Sequence, residues 1–161
     1  ICVLLLMFSS MKTFSQDQQQ IQLANEYLLK GDKKKALELY QDLIRKDANI
    51  PLVHNNYLNV LLDLEAYNEA QAYLKQLLRK DASNLQYNLD LSVVYVQSGD
   101  LNRADKHIKE LISESKSSIQ SIKMISDYLA SRSLAEYSIA ALNESRDYHG
   151  NPYLFCLEWA M

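Results

Sequence analysis

The stretch Gly31-Asp32-Lys33-Lys34-Lys35-Ala36-Leu37-Glu38-Leu39-Tyr40 is answered by Gly99-Asp100-Leu101-Asn102-Arg103-Ala104-Asp105-Lys106-His107-Ile108, with Glu65-Ala66-Tyr67-Asn68-Glu69-Ala70 midway between them. Ala36, Ala70 and Ala104 are thus evenly spaced. A fixed period of about 34 residues signals stacked pairs of helices. Working outward, Leu23, Tyr57 and Leu91 correspond, as do Tyr27, Leu61 and Tyr95. After the turn come Ala36-Tyr40-Leu43, Ala70-Leu74-Leu77 and Ala104-Ile108-Leu111. Two units close in the near-identical runs Ile44-Arg45-Lys46-Asp47-Ala48 and Leu78-Arg79-Lys80-Asp81-Ala82.

The spacing has a physical reason. Apolar residues four apart share one helical face, so each unit supplies two amphipathic helices. Gly31 and Gly99 can take the left-handed conformation that ends a helix. A small alanine at the helix crossing lets two backbones approach closely. No single unit buries its apolar face alone, so the units must stack.

At these residues the chain resembles the tetratricopeptide repeat family, whose pattern has a small residue at the inter-helix turn, an alanine followed four residues later by an aromatic, and a terminal Asp-Pro. Ala36 with Tyr40 fits well. Ala70 with Leu74 and Ala104 with Ile108 keep only the apolar character, and Ala48 and Ala82 stand where the proline would. Ala24 and Ser92 supply the small residue of the first helix. The resemblance covers roughly residues 17–118 well. It implies an all-α fold, an α-solenoid of stacked antiparallel helix pairs in a right-handed superhelix, with about four units and the start of a fifth. The repeat-defining residues are Ala36, Ala70, Ala104, Gly31, Gly99 and Tyr40. The units are expected at about 17–50, 51–84, 85–118 and 119–150, with a partial unit at 151–161.

Beyond residue 118 the stripes Ile122-Ile125-Leu129 and Ala135-Ile139-Leu142 continue the pattern. Ala135 arrives before the period from Ala104 is complete, which predicts a fourth unit slipped by three and a shortened turn at Ser131-Arg132-Ser133. Asn151 suits a helix N-cap with Pro152 at the first helical position. A helix carrying Leu154, Phe155 and Trp159 then runs to Met161, whereas natural arrays finish with a polar-faced cap. Residues 1–8 are an unbroken apolar run, followed by the small-residue site Thr13-Phe14-Ser15 and the polar Gln16-Asp17-Gln18-Gln19-Gln20. This pattern is that of a secretory signal peptide without its basic start, occupying residues 1–15. It is too short for a transmembrane helix, which needs ~20 residues. The Thr-Phe-Ser-Gln junction resembles exported proteins of the Bacteroidetes group, which implies a periplasmic or envelope location. If translation starts at Met11 instead, the protein is cytoplasmic. We read the chain as a piece of a longer protein, cut at both ends.

Composition agrees with helices joined by short turns, with three glycines and two prolines in 161 residues. Without Lys12 the mature part holds 16 basic and 20 acidic residues, a net charge of −4. That balance argues against nucleic acid as partner, which favours a basic face. The Lys33-Lys34-Lys35 cluster reads as a solvated helix start, and Arg45-Lys46 and Arg79-Lys80 as last-turn charges that complement the helix dipole. His54, His107 and His149 lack metal-ligand spacing, and no metal or other cofactor is expected. Cys2 falls in the leader and Cys156 reads as a small buried apolar residue. No phosphate loop or nucleophile elbow occurs, and carboxylates such as Glu136 and Glu144 occupy polar helix faces. The chain is not expected to be an enzyme.

Function is expected on the concave face, which the first helix of each unit lines in the family. Asn25 and Asn59 are equivalent, one unit apart; Asn55 lies one turn before Asn59, with Asn56 and Asp63 nearby. An asparagine offers donor and acceptor together, which suits the amides of an extended peptide. The alternative is that these asparagines are solvated or tie one helix to the next. Some family members clamp a peptide's terminal carboxylate with lysines, an arginine and two asparagines. Here Asn25 and Asn56 match the asparagines, but Ile21, Gln86 and Asp90 stand where the basic residues belong, so that mode is rejected. Tyr27, Tyr40, Tyr57 and Tyr95 fall at packing positions. The expected function is a non-catalytic scaffold that binds a peptide segment or partner protein. The alternative is an extracytoplasmic sensory or regulatory region of a multidomain protein with a downstream membrane helix and output or enzymatic domain. A stalk with no groove ligand is a third reading.

Overall fold

The structure, a computed structural model, describes the backbone of residues 2–155 and the side chains of residues 16–155. Among the described residues there are eight α-helices and no strand. In chain order they are α1 (Cys2–Leu29), α2 (Lys33–Leu43), α3 (Ile50–Asp63), α4 (Tyr67–Lys80), α5 (Leu85–Gln97), α6 (Leu101–Ser115), α7 (Ile119–Ser131) and α8 (Ala135–His149). A single 3-10 turn, Asp47–Asn49, precedes α3. They form two compact bodies, Ile1–Ala66 and Tyr67–Met161.

Four turns share one construction. Gly31, Glu65, Gly99 and Ser133 all take positive φ, at 78°, 56°, 78° and 62°. At each, the amide of that residue donates to the carbonyl three residues back, and the next amide donates five residues back. The distances are 2.9 Å for both bonds at Gly31-Asp32, and 3.0 and 2.9 Å at Ser133-Leu134. This double bond closes a helix on a left-handed residue and satisfies carbonyls left orphaned at its end. Asp32 and Asp100 then cap the following helices, accepting from the amides of Lys35 and Arg103 at 3.3 and 3.1 Å. Asn84 and Ser118 do the same for α5 and α7.

In the first body α1 packs on α2, and α3 on α2. Ala24, Ala36 and Tyr40 are fully buried there, so the small residues do lie in the helix contact. In the second body α4 packs on α5, α5 on α6, α7 on both α5 and α6, and α8 on both α6 and α7. Its core joins Leu89, Ile108, Ile112, Ile122, Ile125, Leu129 and Leu142. Each such side chain stabilises by roughly 1.5–3 kcal/mol on burial.

The fourth pair does not slip. α7 and α8 begin one full period after α5 and α6, and Ser133 sits one full period after Gly99. Ala135 is exposed at the first position of α8, and Ile139 is 42% exposed. The residue in Ala104's place is Ser138, buried against α7 with its hydroxyl 2.8 Å from that of Ser126. Two serines can stand at the crossing because one hydroxyl donates to the other, so neither is buried without a partner. At the far end Asn151 accepts from the Tyr153 amide at 3.0 Å, but residues 152–155 are turns rather than the expected helix. Phe155 folds back into the core. The expectations for Cys2, the residue 1–15 leader side chains, Cys156 and Trp159 lie outside the described residues.

Left-handed φ costs a residue with a Cβ about 1–2 kcal/mol, against a smaller unfolded-state cost for glycine. Glu65→Gly and Ser133→Gly are therefore each expected to stabilise by about 0.5–1 kcal/mol, moving the melting temperature by roughly 2 °C for a chain of this size. Urea denaturation checks this; unchanged midpoints would show that these turns relax out of the left-handed region at no cost.

Candidate functional site

α3 is the helix on which most of the expected site residues stand. Pro51 lies in its first turn, where its missing amide hydrogen leaves no helical bond unmade. Val53, His54, Tyr57, Leu58, Val60, Leu61 and Leu62 are buried. Leu52, Asn55, Asn59 and Asp63 are exposed and follow each other at steps of three or four residues, so they form one stripe along the helix. Asn55 and Asn59 make no side-chain hydrogen bond among the described residues.

Asn25 and Asn56 behave differently. The Asn25 carbonyl oxygen accepts from the Tyr40 hydroxyl at 2.7 Å and from the Asn56 amide at 2.9 Å. One oxygen thereby ties α1 to α2 and to α3. Burial raises the Tyr40 hydroxyl above its ordinary value, so it stays protonated as the donor. Asp63 is not a free acid either: Lys33 reaches it at 2.8 Å from the start of α2, both side chains about half exposed. Such a pair contributes little to stability. Of the five expected residues, two are thus committed internally, one is ion-paired and two face solvent.

Some polar contacts have no counterpart in the sequence reading. Lys46 lies beyond the end of α2 rather than in its last turn, and its ammonium meets the Asp17 carboxylate at 2.7 Å. Asn49 donates to the other Asp17 oxygen at 3.1 Å. These bonds, the Lys46 one foremost, hold the Asp17 carboxyl below the usual carboxylate range. In the second body Asp90 is buried on α5, where Tyr128 of α7 donates to it, and Gln86 reaches both its oxygens at 3.2 and 3.3 Å. Burial and the nearby Asp90 charge push the Tyr128 hydroxyl up. Gln86 and Asp90, which stand where a carboxylate clamp needs cations, are thus bonded to each other. Tyr128 carried no signal in sequence, because its partner lies 38 residues away on another helix.

Of the histidines, His54 is buried, His107 half-buried and His149 exposed. Burial lowers the His107 imidazole, whose Nδ1 lies 3.0 Å from the Ser92 hydroxyl. Of the packing tyrosines, Tyr40, Tyr57 and Tyr95 are buried and Tyr27 is half-buried, with the Lys35 ammonium 5.3 Å over its ring. Among the described residues no group of three or more histidine, cysteine or acidic side chains could hold a metal ion. No described helix is long and apolar enough to cross a membrane.

Residues 61–122 match the family model of the tetratricopeptide repeat. With four like turns on one period, this makes the fold an all-α solenoid of the tetratricopeptide type. A search of curated proteins finds no match.

Asn25→Ala is expected to strip the acceptor from a buried hydroxyl and cost about 1–3 kcal/mol. Tyr40→Phe in that background should recover part of the loss, and a double-mutant cycle on urea midpoints reads the coupling. Additive effects of the two changes would mean that the bond contributes nothing.

Proposed function

We propose that this chain is a non-catalytic binding scaffold that takes an extended peptide segment of a partner protein along the exposed face of α3. Tetratricopeptide repeats commonly mediate protein–protein interaction, and residues 61–122 match that family's model. The observation that carries the reading is the pair Asn55 and Asn59, exposed, four residues apart and uncommitted.

The spacing suits the ligand. Four residues of helix advance about 6 Å, and two residues of extended chain advance about 6.6 Å. Asn55 and Asn59 can therefore meet peptide residues i and i+2, whose main-chain groups point the same way. Each amide offers a donor and an acceptor, so recognition falls on the peptide backbone. Leu52, 52% exposed at one end of the stripe, offers an apolar contact.

Each lost asparagine contact removes about 1 kcal/mol, so Asn55→Ala with Asn59→Ala is expected to weaken binding roughly thirty-fold. The probe is a peptide selected from a random dodecapeptide library on the wild-type chain, with affinity read by calorimetry. Melting should not move. An unchanged affinity in the folded double variant removes α3 as the binding face.

Export to the periplasm or envelope is the second part of the proposal, supported by the apolar run of residues 1–8 and the Thr13-Phe14-Ser15 site. Cleavage after Ser15 keeps the Asp17 bridge to Lys46 and Asn49 within the mature chain. Expressed behind a basic start in a bacterium with a secretion pathway, the chain should be recovered outside the cytoplasm with Gln16 as its first residue. Terminal sequencing checks this; an uncut chain retained in the cytoplasm rejects export.

A further inference from the structure

We propose that Asp63 is the specificity-determining residue of the α3 face. It selects peptides that carry an arginine or lysine two residues beyond the positions met by Asn55 and Asn59, a selection that rests on the peptide reading of α3 given above.

Asn55, Asn59 and Asp63 follow one another at equal steps of four along α3. The helical step that matches two residues of extended chain between the asparagines is thus taken once more, and a peptide spanning them reaches Asp63 with its fifth residue. Leu52, Asn55 and Asn59 are uncharged, so Asp63 sets the charge that a ligand on this stripe meets.

The carboxylate has room for a second cation. Lys33 takes Oδ2 at 2.8 Å, and Oδ1 makes no hydrogen bond or ion pair among the described residues. An ionised carboxylate accepts through both oxygens. Lys33 comes from α2, and with both side chains about half exposed a ligand cation can share Asp63 or displace Lys33 at little cost. Glu65 follows in the turn, exposed and in no ion pair among the described residues. Two carboxylates therefore stand at this end of α3 against the Lys33 ammonium, and the carbonyl terminus of the helix adds partial negative charge. Of the neighbouring lysines, Lys35 is held by Asp32 at 2.9 Å. Lys34 stands about 100° round α2 from Lys33. Residues 16–66 hold six basic and eight acidic residues, a net charge of −2, which favours a cationic ligand in the same sense.

Peptides are selected from a random dodecapeptide display library on the wild-type chain and on two variants. The wild-type pool should be enriched several-fold in arginine and lysine over the unselected library. Glutamine in place of the enriched cation should weaken binding about twofold to fivefold, and less at high salt. Lys33→Asp with Asp63→Lys keeps an ion pair and the net charge of the body, and each new charge suits its own helix end. Its pool should be enriched in aspartate and glutamate instead. Asp63→Asn should lose the cationic preference, and decides the matter if the swapped chain unfolds. A wild-type pool with no cationic enrichment overturns the proposal, as does a cationic preference that survives in the folded variants. In both cases affinity that still depends on Asn55 and Asn59 leaves the α3 face standing; affinity indifferent to the two asparagines removes that face and the role of Asp63 with it.

Discussion

At Gly31, Glu65, Gly99 and Ser133 the chain enters the left-handed region, and two amide hydrogen bonds made on the spot end one helix so that the next can begin after a brief turn. Nearly everything else in the molecule follows from that short reversal. A turn of constant length fixes which faces meet, since a helix rotates by a set angle per residue and an insertion would swing its apolar stripe away from its neighbour. The helix after each turn begins at residue 33, 67, 101 or 135. The small residues at the crossings, among them Ala24 with Ala36 and Ser126 with Ser138, are tolerable only because that register never drifts. A larger side chain there would push apart two backbones that the turn has already brought together.

The same geometry divides the polar residues of α3. Asn55 and Asn56 are neighbours in sequence but about 100° apart around the helix axis. Asn56 therefore points back to Asn25 and Tyr40, while Asn55 joins Asn59 on the open side. The half-buried Asn56–Asn25 bridge and the buried Tyr40 hydroxyl hold α3 in place relative to α1 and α2. The exposed amides are thus presented by a helix whose orientation is set within the chain, and for the peptide proposed above that lowers the ordering cost of binding.

How far the sequence was legible depended on whether a signal was periodic. The turns, the helix pairs and the burial of Ala36, Ala70, Ala104 and Tyr40 could all be read from spacing. The fourth pair was misread because alanine identity was followed in place of position. Ala135 copies the residue type, Ser138 copies the volume, and the core responds to volume and satisfied polarity. Glu65 and Ser133 occupy glycine-like sites without being glycine, so only the period betrays them. In the candidate site the list of asparagines was legible, yet their division into committed and open was not. That division depends on Tyr40 reaching across 15 residues and Asn56 across 31, distances with no local trace. The Asp90–Tyr128 contact is hidden for the same reason.

One helical position shows why repetition and recognition pull apart. Asn25, Asn59, Val93 and Asp127 fall one period apart on the first helix of successive pairs. Asn25 is an internal acceptor, Asn59 is open to solvent, Val93 is buried, and Asp127 lines a groove between α7 and α8. No one residue type is required at this position by the repeat: it is structural at Asn25 and Val93 and open at Asn59, so its chemistry differs from pair to pair. The positions that the fold does constrain are held to one backbone conformation at the turn and to small volume at the crossing, and carry no information about a partner. Under the function proposed above, a partner is read from where the repeat breaks its own pattern, which in the first body is the exposed amide pair on α3.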